Sequence, residues 1–286
     1  MPELGVVFRP QMPPEQLRAV AEAADASGVD MLWLWEDCFR EGGISTAAAA
    51  LAWTSRVRVG IGLLPVPLRN VALTAMEVAT LDRLFPGRLE IGIGHGVQEW
   101  MGQVGARAQS PLTLLREYTV ALKKLLAGEL VTTSGRYVNL DAVRLDWPPP
   151  VAPKVLVGAM GPKTMALSGE VADGTILTAG TPIDGVRRAR AQLEAAGAPP
   201  GHRLITSLTA ATGPGAQQRV DADLRDEGHE PSPDLAVAGD AEAVAAAVRR
   251  WGEAGADAVV LQPTPEEPDL VSFMHFAGQA VRPLLS

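Results

Sequence analysis

The sequence predicts an α/β chain folded as a (β/α)8 TIM barrel. Three observations lead there: eight short apolar segments suited to buried strands, amphipathic segments between them, and a length of 286 residues, ample for a barrel of about 250 residues. The rival is an open doubly wound sheet, which ordinarily uses fewer strands in this length. No tract separates regions of different composition, so residues 1–286 read as a single domain with excursions.

The first strand is expected at residues 4–8 (LGVVF), and Pro14 then stands where a first helical turn tolerates a missing N–H. The second is 31–35 (MLWLW), reached through ASGVD, where Gly28 suits the left-handed residue that ends a helix. Strands three and four are 57–64 (VRVGIGLL) and 88–94 (RLEIGIG); between them Ala72, Ala75, Met76 and Ala79 keep helical spacing. The stretch 94–110 is irregular. Residues 128–153 read as a hairpin outside the barrel, closed by a proline run before strand five. Strands five to seven are 154–158, 174–178 and 204–210, and residues 226–233 read as a surface loop. Val244, Ala247, Val248 and Trp251 mark a helix before the last strand, 258–262. The junction EAGADAVVL, with Gly255, echoes ASGVDMLWL, as βα units of one barrel would.

The charge balance, 25 Lys and Arg against 33 Asp and Glu, is −8. That sign speaks against nucleic acid or an anionic membrane as partner, since both need clustered cations. A small-molecule substrate is the expected partner. One cysteine makes no internal disulfide and no thiolate zinc site, which points to a reducing, cytoplasmic setting. The N-terminus lacks the basic and apolar parts of a signal peptide, and no apolar stretch is long enough to span a membrane. No His-x-His or His-x-x-x-Glu grouping suggests a metal site.

In such a barrel chemistry is built at the carboxyl ends of the strands. After strand two come Glu36, Asp37 and Cys38. Asp37 reads as an acceptor for a ligand or as a capping carboxylate; Glu36, its strand neighbour, faces elsewhere. The IGIGHG run leaves Gly92 and Gly94 bare on one strand face, open to a flat ring or to close packing in the barrel. His95 is a proton donor or a polar rim residue. Val97 stands where a GxGxxG fingerprint needs glycine, so a Rossmann reading fails. GAMGPKTMAL, with Gly158, Ala159, Met160, Gly161 and Lys163, reads as strand, turn and helix start; its amides could hold a phosphate or simply begin a helix. Arg187, Arg188 and Arg190 read as a solvated helix face.

The order VGIGLLPVPLRN, MEVATLDRLFPGRLEIGIGHG and PPPVAPKVLVGAMGPKTMALSGEVADGTI is similar to the luciferase-like monooxygenase superfamily, in particular its coenzyme F420-dependent oxidoreductase branch. The similarity runs from WLWED to AGADAVVLQ. It implies a bacterial-luciferase-like barrel whose mouth holds a deazaflavin, with FMN the alternative. It further implies a non-proline cis bond at Gly62–Leu63, in a bulge of Gly62, Leu63 and Leu64 behind the ring. The resemblance puts a ring contact at Asp37 and phosphate contacts at Gly158, Ala159, Met160 and Gly161; the residue reading adds Gly94 for the ring and Lys163 for the phosphate. The implied activity is hydride transfer between the deazaflavin C5 and a small organic substrate. An FMN-dependent monooxygenase and a non-catalytic cofactor-binding protein are the alternatives, and the short loops, with little material for a lid, favour the first. A homodimer is expected by the same resemblance.

The sugar-phosphate dehydrogenases of this family place a catalytic histidine where this chain has Cys38, and a glutamate where it has Val97. Cys38 is then a filler against the ring or a thiol touching substrate, and His95, where threonine is usual, is the candidate proton donor.

Overall fold

The computed structural model describes residues 1–285. Apolar residues alternate along the strands toward an inner and an outer layer, as a sheet covered on both faces requires. Strands β1 (Glu3–Phe8), β2 (Met31–Leu34), β3 (Arg58–Pro65), β4 (Leu89–Gly94), β5 (Val155–Gly158), β6 (Gly174–Ile176), β7 (Arg203–Ala211) and β8 (Ala258–Pro263) pair in parallel in that order. Pairing of β8 with β1 and of β6 with β7 closes the circle. Each strand falls on a segment expected from the sequence, so the barrel is the fold.

The helices are α1 (Leu17–Ser27), α2 (Gly43–Trp53), α3 (Val71–Leu84), α4 (Gln98–Gln103), α5 (Pro111–Leu126), α6 (Pro162–Val171), α7 (Ile183–Ala195), α8 (Ala216–Asp226), α9 (Ala241–Glu253) and α10 (Leu270–His275). Gly28 and Gly255 close α1 and the turn after α9 with φ of 98° and 113°, the left-handed region anticipated for both. The hairpin is present as Val131–Ser134 against Asn139–Val143, antiparallel and outside the barrel. No helix among the described residues is long and apolar enough to cross a membrane.

The outer layer joins Val6, Ile91, Val157 and Leu261 to helix residues such as Val20, Val78, Leu122 and Val248. The inner layer is smaller: Val7, Met31, Trp33, Leu156, Ile205 and Val260. Below it Glu3, Arg58, Glu90 and Arg203, at the amino ends of four strands, form an ionic floor. Arg58 bonds Glu3 and Glu90 at 2.6 Å each, and Arg203 bonds Glu90 at 2.6 Å and also Glu3. The floor alternates sign around the ring, so the charges compensate one another.

Trp33 fills the middle of the barrel, and the glycines around it explain its seat. A Cβ on Gly60 would meet the Trp33 ring at 2.5 Å, and one on Gly62 at 3.1 Å. Gly92 and Gly94 serve the same end. A Cβ on Gly92 would collide with Ile176 and, at 2.7 Å, with the Ile61 carbonyl; one on Gly94 would meet Leu63 at 2.6 Å. Close packing inside the barrel thus requires glycine at 92 and 94 whatever lies above them. The Gly62–Leu63 bond is cis, at a register shift of β3 between Ile61 and Leu64, and Leu63 lies against Gly94 and Gly158. A second non-proline cis bond joins Cys38 and Phe39.

One helix departs from the regular plan. Helix α9 packs beside β8 and α7, as the helix before the last strand should. Helix α8 instead lies at the carboxyl ends of the strands. A short strand following it, Ala236–Ala238, extends the sheet beside residues 209–211 of β7. Asp223 of α8 reaches Arg9 beyond β1, Glu227 reaches Gln262 of β8, and the His229 ring occupies the space a Cβ on Gly180 would need. Residues 212–235 thus cover part of the barrel mouth. The expectation of short loops without a cover is corrected here: the tract at 226–233 is the end of that cover, and its polar composition concealed the packing beneath it.

Candidate active site at the barrel mouth

Strand alternation decides which side chains look into the mouth. Trp33 is inward, so Trp35 and Asp37 follow on the same side, and Glu36 points the other way. Glu36 accepts from the Gly43 N–H at the start of α2 (2.7 Å) and pairs with Arg69, an architectural role in keeping with the sequence reading. Asp37 is half-buried; its carbonyl accepts from the Arg40 N–H (2.9 Å) while its carboxylate makes no hydrogen bond, and burial raises its pKa, against a lowering by Arg40 and Arg9.

Cys38 is half-buried, and burial together with Glu36 and Asp37 raises its thiol pKa. A thiol in that environment stays protonated near neutrality and is a poor nucleophile. Iodoacetamide is expected to alkylate Cys38 no faster than free cysteine at pH 7.5; a rate tenfold above free cysteine would contradict the assignment as filler.

His95 lies beyond the inward Gly94 and turns toward the ends of the surrounding helices. Its Nε2 lies 3.3 Å from Thr164 Oγ1, in the first turn of α6, and burial lowers its pKa against the backbone of Pro111. The structure thus places His95, expected as a proton donor, beside the first turn of α6. His95 joins the α6 group instead.

That group centres on residues 158–164. Gly158 ends β5, Ala159 donates its N–H to Ile176 (3.0 Å), and Met160 projects into solvent. Pro162 opens α6 with Gly161 as its extended N-cap, and no side chain caps the helix. Its first-turn amides are therefore free donors, at the positive end of the helix dipole. Lys163 is exposed beside them, and the space a Cβ on Gly161 would enter is empty. The arrangement suits an anion such as a phosphate. Among the described residues, no three His, Cys, Asp or Glu side chains are grouped to hold a metal ion.

Sequence reasoning missed a second polar group across the mouth. Arg9, 3% exposed, follows β1 at the inward position after Val7; Gln262 is the inward residue after Val260. Arg9 Nη1 donates to Asp223 (2.8 Å) and to the Pro263 carbonyl (3.3 Å), Nη2 approaches Glu227 (3.4 Å), and its guanidinium lies 6.0 Å from the Trp35 ring centre. Gln262 Nε2 donates to the same Glu227 oxygen (3.2 Å). The signal was legible: a polar residue at the inward carboxyl end of an otherwise apolar strand.

A cleft of about 610 Å³ opens outside the rim, between the segment after β3, the turn after α4 and the hairpin. It lies apart from the inward-facing residues, which mark the site more securely than cleft size does.

The uncapped helix start and the acids gather at the carboxyl end of a closed parallel barrel, the end at which barrel enzymes build their sites. The sequence model of the luciferase-like monooxygenase family matches residues 4–226, and the chain belongs to that family. It is 30% identical over 180 residues to a 5,10-methylenetetrahydromethanopterin reductase of Methanolobus tindarius, covering 63% of this chain and 55% of that protein. It is 35% identical over 188 residues to an F420-dependent glucose-6-phosphate dehydrogenase of Kineococcus radiotolerans, covering 61% and 55%. The chain thus spans about half the length of the curated relatives it matches. Among solved structures, an F420-dependent secondary alcohol dehydrogenase with an F420–acetone adduct superposes with a TM-score of 0.87 at 19% identity over 100% of both chains. The coenzyme F420-dependent tetrahydromethanopterin reductase of Methanopyrus kandleri gives 0.84 at 19% identity, over 99% of both chains. These two likenesses carry the fold.

Proposed function

We propose that this protein is an F420-dependent oxidoreductase acting on a small organic substrate. The carrying observation is the uncapped, glycine-led start of α6 at the mouth, which fits the anionic tail of a deazaflavin. The F420-dependent relatives support the choice of cofactor. The residues fit the group: the N–H groups of Gly161, Lys163 and Thr164, with the Lys163, Thr164 and His95 side chains, surround the place for the tail, and Asp37 offers an unpaired carboxyl at the ring's edge. Leu63, over Gly94 and Gly158, gives the ring an apolar backing.

The bound deazaflavin supplies hydride transfer at C5. The chain's own part is to orient and to exclude water. Leu63 and Trp35 shape the apolar wall, Asp37 accepts or donates one hydrogen bond, and residues 212–235 shelter one side of the mouth. His95 serves the tail rather than the substrate.

Titration of F420 fluorescence tests the reading. Saturable quenching is expected with F420, while FMN produces a weaker response; tight FMN binding with no response to F420 would favour the monooxygenase alternative. A Gly161→Asp variant separates binding from folding. An aspartate at this N-cap stabilises α6 by a few tenths of a kcal/mol, yet its carboxylate takes the free amides and repels the tail. F420 affinity is expected to fall at least tenfold while the melting temperature holds or rises; unchanged affinity would remove the tail from this place.

We also propose a homodimer. Helix α3 leaves Leu73, Met76 and Leu84 exposed, with Trp147 of the neighbouring segment. Light scattering is expected to give twice the 30.1 kDa chain mass; a concentration-independent monomer would contradict it.

A further inference from the structure

The group opposite α6 has a charge imbalance that the proposed chemistry does not use. Arg9 brings one positive charge, and Asp223 and Glu227 bring two carboxylates. Arg9 is committed to Asp223, since both are 3% exposed and joined at 2.8 Å. Glu227 has the 3.4 Å approach from Arg9 and the neutral Gln262 amide at 3.2 Å, with no cation of its own, and its side chain is 27% exposed at the edge of the mouth. Burial and then Asp223 raise its pKa, against lowering by Arg9, Gln262 and His229. One negative charge is left over.

A second observation points to the ligand that would answer it. Gln262 is fully buried and directed inward, yet its Oε1 has no partner. The amide orientation is fixed by chemistry, because only the NH2 side can face the Glu227 carboxylate. The carbonyl oxygen is therefore a vacant acceptor beside a surplus carboxylate. Arg9 Nε is the one donor left without a partner in the group, and Arg9 already lies over Trp35, an indole face suited to cations. Acceptors and negative charge outweigh donors.

We propose that Glu227 and Gln262 Oε1, beside Trp35, form a recognition site for a protonated nitrogen, so that the substrate carries an ammonium or amidinium group. The substrate clause rests on the oxidoreductase reading; the cation site stands without it. An ammonium offers three donors and one positive charge, which satisfies Gln262 Oε1 and offsets Glu227 together. A phosphate or carboxylate would meet Glu227 head-on, in agreement with the missing sugar-phosphate acid–base pair.

Three probes of one shape decide the matter: benzylammonium, benzyl alcohol and benzoate, titrated calorimetrically into the full chain. Benzylammonium is expected to bind about tenfold or more tightly than the alcohol, the scale of one charge-assisted hydrogen bond, with benzoate weakest. Glu227→Gln is expected to abolish the preference. In the wild-type protein the preference is also expected to fade as pH falls through the raised Glu227 pKa, above the ordinary carboxylate value of about 4.3. The other ionisable groups there are Arg9 after β1, Asp37 and Arg40 after β2, and Asp223 and His229 of the cover. The pH series decides the question even if the variant does not fold. Equal binding of the three probes, tightest binding of benzoate, no ammonium binding, or a preference indifferent to both Glu227→Gln and pH would overturn the proposal. Adding F420 to the same samples keeps the two readings apart: an ammonium preference without fluorescence quenching removes the oxidoreductase reading alone, and quenching without the preference removes this site alone.

Discussion

Replacing Arg9 with leucine is expected to cost about 3–5 kcal/mol of stability, the scale of breaking a buried ion pair by removing one partner. Asp223 would be left 3% exposed without its cation, and Glu227 would lose its only nearby guanidinium. Urea unfolding at pH 7 measures the loss. Part of it has a fixed sign with pH: burial already raises the Glu227 pKa, so protonating Glu227 as the pH falls removes its share of the deficit. The damage should also be local. Hydrogen exchange at residues 212–235 is expected to accelerate more than exchange in β1 to β4, because Arg9 makes the buried ion pair between the cover and the barrel wall. A loss below 1 kcal/mol, or uniform exchange across the chain, would show that the cover is held by its apolar contacts, Val220 and Leu224 among them.

The second large effect lies in the barrel's middle. Trp33→Ala is expected to cost about 3–5 kcal/mol, as a large buried side chain replaced by a cavity does. Gly60→Ala presses the opposite way, since its Cβ would stand 2.5 Å from a ring with nowhere to move, and about 1–3 kcal/mol is expected for such overpacking. The two are one interaction. In a Trp33→Leu background Gly60→Ala should cost close to nothing, and a double-mutant cycle by thermal or urea unfolding reads the coupling. Additive costs would mean that Gly60 is constrained by its backbone and not by the indole.

The barrel itself was legible because each strand carries its own signature. LGVVF, VLVG and AVVLQ are apolar on successive residues, as buried parallel strands must be, and Gly28 and Gly255 punctuate matching turns. The start of α6 was legible too, since Gly-Pro after a strand leaves little conformational choice. Two matters were hidden. The inward glycines read equally as a ring seat or as packing space, and the outcome depended on where Trp33, Ile176 and Leu63 point, which no local pattern states. The cover was hidden because Arg9 and Asp223 are 214 positions apart in sequence, and an Asp- and Arg-rich helix reads as solvated wherever it lies. The contact of His95 with Thr164 was hidden as well, because the two stand 69 positions apart in sequence.

The most direct measurement of the central claim is a crystal structure of the protein soaked with F420. The tail phosphate is expected within hydrogen-bonding distance of the N–H groups of Gly161, Lys163 and Thr164, with the deazaflavin ring against Leu63 and its edge at Asp37. A ring bound in the cleft outside the rim, or a phosphate held anywhere but the start of α6, would contradict the account.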